Sequence, residues 1–118
     1  TQIGSAGYSV TKAAAVSFAE WLKITYGNKG IGVSCLCPQA VRTAMTAQGA
    51  GVAGVDGMIE PEVAAADVLD AIENERFLVT PHAEVLEYVS RKGNDRDRWI
   101  SGMQRLQERY EDWKPGDE

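Results

Sequence analysis

The chain has 118 residues, of which 44% are hydrophobic and 25% charged, with a net charge of −5; that balance describes one globular domain and excludes a disordered segment. Residues 1–59 carry four basic and two acidic side chains, and residues 60–118 carry eight and fifteen, so the acidic second half argues against nucleic acid as a main partner. No apolar run approaches the roughly 18 residues that cross a bilayer and no signal-peptide pattern opens the chain, which reads as cytoplasmic, with no membrane span.

In chain order, apolar and small residues first recur at helical spacing from Tyr8 to Tyr26 (Val10, Ala14, Phe18, Trp21, Leu22). Gly27, Asn28 and Gly30 are the stop signals. The stripe that carries Phe18 and Trp21 is the expected packing face. Ile31–Cys37 is nearly unbroken apolar sequence, the pattern of a parallel strand covered on both faces, and Pro38 ends it. Helix followed by strand without a hairpin signal implies a crossover unit and an α/β class. Cys35 and Cys37 fall on one strand face and read as small buried hydrophobes in a reducing compartment. Only His82 could join them, which falls short of a structural metal tetrad, so no metal site is expected.

Residues 38–43 follow the carboxyl end of that strand, where open α/β sheets bind ligands. Backbone amides near Val41 and the Thr43 hydroxyl offer a ligand there hydrogen-bonding groups. Residues 44–58 hold four glycines and no strong period, which predicts a mobile loop longer than ordinary connections. Glu60-Pro61-Glu62 opens a second helix, because proline suits the first turn and acids suit its positive end. Its expected buried stripe is Ala65, Leu69 and Ile72, ending near Asn74. Phe77–Thr80 is a short strand at the sheet edge, stopped by Pro81, and His82 is a turn residue without assigned chemistry. A third helix runs from Ala83 to about Arg91, with Gly93 and Asn94 as its break. Trp99, Met103, Leu106, Tyr110 and Trp113 form a seam of two heptads, too short for a coiled coil, within an amphipathic tail (95–118) that docks on the body or on a partner subunit. The last five residues read as a frayed end.

The motif that carries chemistry is Gly7-Tyr8-Ser-Val-Thr-Lys12-Ala-Ala-Ala15. Tyr8 and Lys12 lie one turn apart on the same helix face. A free phenol titrates near 10, and a neighbouring ammonium favours the ionised form, so such a pair can exchange a proton with an alcohol or carbonyl oxygen. Small residues on both sides (Gly4 to Gly7, Ala13 to Ala15) let backbone approach a ligand or a neighbouring helix.

This helix, the strand after it and the loop Pro38-Gln39-Ala40-Val41-Arg42-Thr43 together resemble the short-chain dehydrogenases/reductases over roughly residues 1–80. In that family Tyr-x-x-x-Lys is the catalytic signature and the loop reads Pro-Gly-x-Val-x-Thr; here Gln39 replaces the glycine. The resemblance implies catalytic roles for Tyr8 and Lys12. It implies that both, with Pro38, Gln39, Ala40, Val41 and Thr43, bind the cofactor, NAD or NADP. It makes 44–58 the segment over the substrate, with Met45, Val52, Val55 and Met58 as an apolar lid. The substrate is then a small alcohol, ketone or aldehyde. It further implies a homodimer or homotetramer through helix 8–26.

The family's catalytic serine, Gly-rich phosphate loop and Asn-Ala-Gly strand end would all lie upstream of Thr1. The expectation is therefore the C-terminal portion (1–118) of one Rossmann-like, doubly wound parallel sheet, with the N-terminal βαβ half absent, as an incomplete chain that is inactive in isolation. A reading from another class stays open: a truncated, non-catalytic relative that serves as an interaction or oligomerisation module.

Overall fold

The computed structural model describes residues 2–112. The order is α1 (Ala6–Tyr26), β1 (Cys35–Leu36), α2 (Pro61–Glu73), β2 (Leu78–Val79), α3 (Glu84–Asn94) and α4 (Arg96–Arg109). β1 and β2 pair in parallel, Cys35 opposite Leu78 and Leu36 opposite Val79, with α2 in the crossover between them. The class is α/β, with a small two-stranded parallel sheet. Both strands are shorter than their apolar runs suggest. The backbone is nonetheless tied on either side of the paired residues, where the Cys35 N–H donates to Phe77 O at 2.7 Å and the Cys37 N–H to Val79 O at 2.8 Å.

Local chemistry explains most boundaries. Ser5 has an extended backbone, and its hydroxyl accepts the Tyr8 N–H at 3.4 Å, so α1 starts two residues before the tyrosine. After Tyr26 a 3-10 turn, Gly27–Lys29, ends at Gly30, whose φ of 85° suits a residue without a Cβ. Glu60 enters α2 extended and Pro61 takes its first position. α2 ends in a Schellman motif: the Arg76 N–H reaches Ala71 O at 2.8 Å and the Glu75 N–H reaches Ile72 O at 3.2 Å. Glu75 occupies the left-handed position, φ 54°, where glycine is usual. Arg76 then pairs with Asp67 and Asp70 at 3.1 and 2.7 Å.

Three sequence expectations need correction. Gly93 does not break α3, which runs on through Asn94. The break is Asp95, an extended residue whose carboxylate accepts the Arg98 N–H at 2.9 Å and so caps α4. The expected stripe of α2 faces outward: Ala65, Leu69 and Ile72 are exposed, while Ala64 and Ala71 are buried. The buried face of α2 is thus its small-residue face. Finally, α1 buries no residue, and Phe18, Trp21 and Ile24 are all exposed. Trp113 and the last five residues lie outside the described residues.

The core is accordingly small. Among the described residues the buried apolar side chains are Ala40, Ala64, Ala71 and Val79. The radius of gyration, 15.6 Å, exceeds the roughly 13.5 Å that a compact domain of this length would have. Parallel sheets are stable when both faces are covered. The bare large side chains on α1 and α2 are therefore surfaces suited to a further layer of structure.

Candidate functional site

Tyr8 and Lys12 sit in the first turns of α1 and point the same way. The Lys12 Nζ lies over the Tyr8 ring, 5.4 Å from its centroid, a cation–π distance. Tyr8 is 47% exposed, and its hydroxyl has no hydrogen-bond partner among the described residues. Ser5 orients this turn from below, and the Thr11 hydroxyl donates to Gly7 O at 2.9 Å, binding the segment into the helix.

The 38–43 loop is held far more firmly than its sequence suggests. Ala40 is buried; its N–H donates to Ala53 O at 3.0 Å and its carbonyl accepts from the Ile59 N–H at 3.2 Å. Val41 bridges Ile59 in parallel, and the Arg42 N–H donates to Ile59 O at 2.9 Å. The Thr43 N–H donates to Thr46 Oγ1 at 3.0 Å, and that hydroxyl reaches Val41 O at 2.7 Å. Pro38 and Thr43 are exposed, Gln39 and Val41 half-buried. The Val41 N–H has no hydrogen-bond partner among the described residues. It is an available donor in a loop whose neighbouring amides are all engaged.

Two anchors of this region were not legible as such in the sequence. His82 is buried, 4% exposed. Its Nδ1 accepts the Gln39 N–H at 3.0 Å, and its Nε2 lies 3.2 Å from Gly57 O. An acceptor at Nδ1 requires the neutral tautomer with the proton on Nε2, which donates to Gly57 O. His82 therefore ties the 38–43 loop to the 51–57 segment. The only signal was position: it is the chain's one histidine, just beyond Pro81 at the carboxyl end of β2. The second anchor is Tyr88, whose hydroxyl donates to Asp56 Oδ1 at 2.6 Å. That bond, with partial burial, pushes the Tyr88 phenol up to about 12.

Residues 44–58 contain two 3-10 turns, Ala44–Thr46 and Gly51–Gly54. Of the residues expected to form an apolar lid, Met45 is 86% exposed, Met58 is half-buried, and Val52 and Val55 line a cavity. That cavity, about 890 Å³, lies between the 51–56 segment, α3 and α4, and Gln39 also lines it. Tyr8 and Lys12 line neither this cavity nor a second, of about 690 Å³, between the start of α1 and α4. Gln2, Trp99 and Met103 border both, so α4 connects the two regions. Its seam residues Trp99, Met103, Leu106 and Tyr110 are half-buried.

Cys35 and Cys37 share a face, Sγ to Sγ 3.9 Å, with both thiols free. Burial, then the neighbouring thiol, pushes Cys37 up to about 11, which keeps it protonated and a poor nucleophile. No group of three or more metal-ligating side chains gathers among the described residues. No helix among them is long and apolar enough to cross a membrane.

No family model matches the chain, and no solved structure does. The chain is similar to the protein named Oxidoreductase UcpA from Escherichia coli K12, from Escherichia coli O157:H7 and from Salmonella typhimurium, in each case 31% identical over 103 residues. The match covers 87% of this chain and 37% of each relative. The chain thus spans little more than a third of the length of the curated relatives it matches, and those relatives are oxidoreductases by name.

Proposed function

We propose that the chain supplies the proton-handling part of an NAD(P)-dependent oxidoreductase of the short-chain dehydrogenase/reductase type, interconverting an alcohol and a ketone or aldehyde. The observation that carries this reading is the part-exposed Tyr8, one helical turn from a lysine whose Nζ lies over its ring. The similarity to proteins named as oxidoreductases supports it.

In this reading Tyr8 exchanges a proton with the substrate oxygen. Lys12 keeps a positive charge beside the phenol and donates to ribose hydroxyls. The nicotinamide, when bound, supplies the hydride chemistry. The residues present fit such a group: the unengaged Val41 N–H is a donor for a carboxamide oxygen, and the ties from His82, Ala53 and Ile59 keep the loop from Pro38 to Thr43 in place to offer it. Gln39 at the family's glycine position is compatible with this loop, because its backbone does not take the positive φ that favours glycine.

The reading extends to a Rossmann-like sheet completed by strands outside these 118 residues, which would cover the bare faces of α1 and α2. It also extends to a cytoplasmic, homo-oligomeric enzyme. Free paired thiols fit a reducing compartment, and the open face of α1 fits a subunit contact. That same face favours a second reading, a non-catalytic oligomerisation module. The test is oxidation of NADH and NADPH with a panel of ketones and aldehydes, by the full native chain and by the 118 residues alone. Turnover by the full chain only is expected. Turnover by the 118 residues alone would remove the need for a completing segment, and none by either would favour the module.

A further inference from the structure

We infer that the cavity between the 51–56 segment, α3 and α4 binds an apolar ligand carrying an anionic group, a carboxylate or a phosphate, and that Arg98 and Arg105 receive the anion. The inference goes beyond the oxidoreductase reading and does not rest on it: Tyr8 and Lys12 do not line this cavity, and the ligand is assigned no part in their proton exchange.

The cavity, about 890 Å³, has the size of a small-molecule site. Its apolar lining comes from Val52, Val85, Trp99, Met103 and Leu106, all half-buried. Four cations also line it: Arg91 and Lys92 from α3, Arg98 and Arg105 from α4. This is unexpected in a half-chain with fifteen acidic against eight basic side chains. The two acids on the lining are both engaged, Asp56 by the Tyr88 hydroxyl and Asp95 by the Arg98 N–H.

The cations are not equivalent. Arg91 is neutralised by Glu87, and Lys92 lies over the Trp99 ring at 4.6 Å. The guanidinium groups of Arg98 and Arg105 have no hydrogen bond or ion pair among the described residues. They stand seven residues apart on α4, hence two turns apart on one face, with Gly102 between them. Two planar forks over an apolar pocket suit a carboxylate or phosphate head on a hydrophobic body.

The experiment is calorimetric titration of the full native chain with octanoate, octyl phosphate and octanol, without cofactor. Both anions are expected to bind at least about tenfold more tightly than the alcohol, in keeping with hydrogen bonds to charged groups. The tighter of the two anions identifies the head group. The double variant Arg98→Ala/Arg105→Ala should lose the preference, and Arg98→Lys/Arg105→Lys should keep most of it. Equal binding of octanol, binding of none of the three, or an unchanged preference in the alanine variant overturns the inference. Because no turnover is read, failure here leaves the Tyr8 chemistry standing, and failure of the Tyr8 chemistry leaves this binding standing.

Discussion

Replacing His82 by alanine should loosen the 38–43 loop and destabilise the whole chain. The imidazole is 4% exposed and makes two hydrogen bonds, from the Gln39 N–H at 3.0 Å and to Gly57 O at 3.2 Å. Each such bond is worth about 1 kcal/mol net, and leaving a shielded N–H without an acceptor costs about 1–3 kcal/mol. The vacated ring volume adds a further cost. A total near 3 kcal/mol is reasonable, or a fall in Tm of roughly 10 °C for a domain of this size. The conservative variants divide the effect. Asparagine offers an acceptor near the Nδ1 position, and glutamine offers a donor near the Nε2 position. Each should therefore keep one bond and lose about half as much. Thermal unfolding by circular dichroism measures the total, and amide hydrogen exchange at Gln39 reads the local bond. A His82→Ala protein that melts with the wild type, with Gln39 exchange unchanged, would refute the claim that this histidine holds the loop.

Two further outcomes follow from the structure. Tyr88 has a folded-state pKa raised to about 12, first by its bond to Asp56, so its stabilising contribution is complete below about pH 10 and is lost as pH rises through about 12; Tyr88→Phe should remove that alkaline limb from a stability–pH profile, and a limb that persists would contradict the assignment. Glu75→Gly should raise stability by about 0.5–1 kcal/mol, because glycine takes the left-handed φ of 54° without strain, and a lower Tm would count against the Schellman account of the end of α2.

The parts of this fold that local chemistry determines were readable from the residues. Pro61 after Glu60 marks the start of α2, Pro38 and Pro81 end the two strand segments, and the alternation of apolar runs with a helix between them implies the parallel pairing of β1 with β2. What could not be read is decided by partners distant in the chain. Gly93 looks like a stop, yet Asp95 caps the next helix and lets α3 continue. Ala65, Leu69 and Ile72 look like a buried stripe, yet Ala64 and Ala71 are the buried positions of α2. The site divides the same way. Tyr8 and Lys12 are four residues apart and visible at once, whereas the His82 contacts join residues 39, 57 and 82, and the cation wall joins two helices across a tight cap. No periodicity carries such information.

The most direct test of the central claim is the kinetics of Tyr8→Phe in the full native chain, with NAD(P)H and a carbonyl substrate. The account predicts a loss in kcat of about 10²–10⁴, the usual range for a general acid or base. A kcat close to that of the wild type would contradict it and leave α1 with only a structural role.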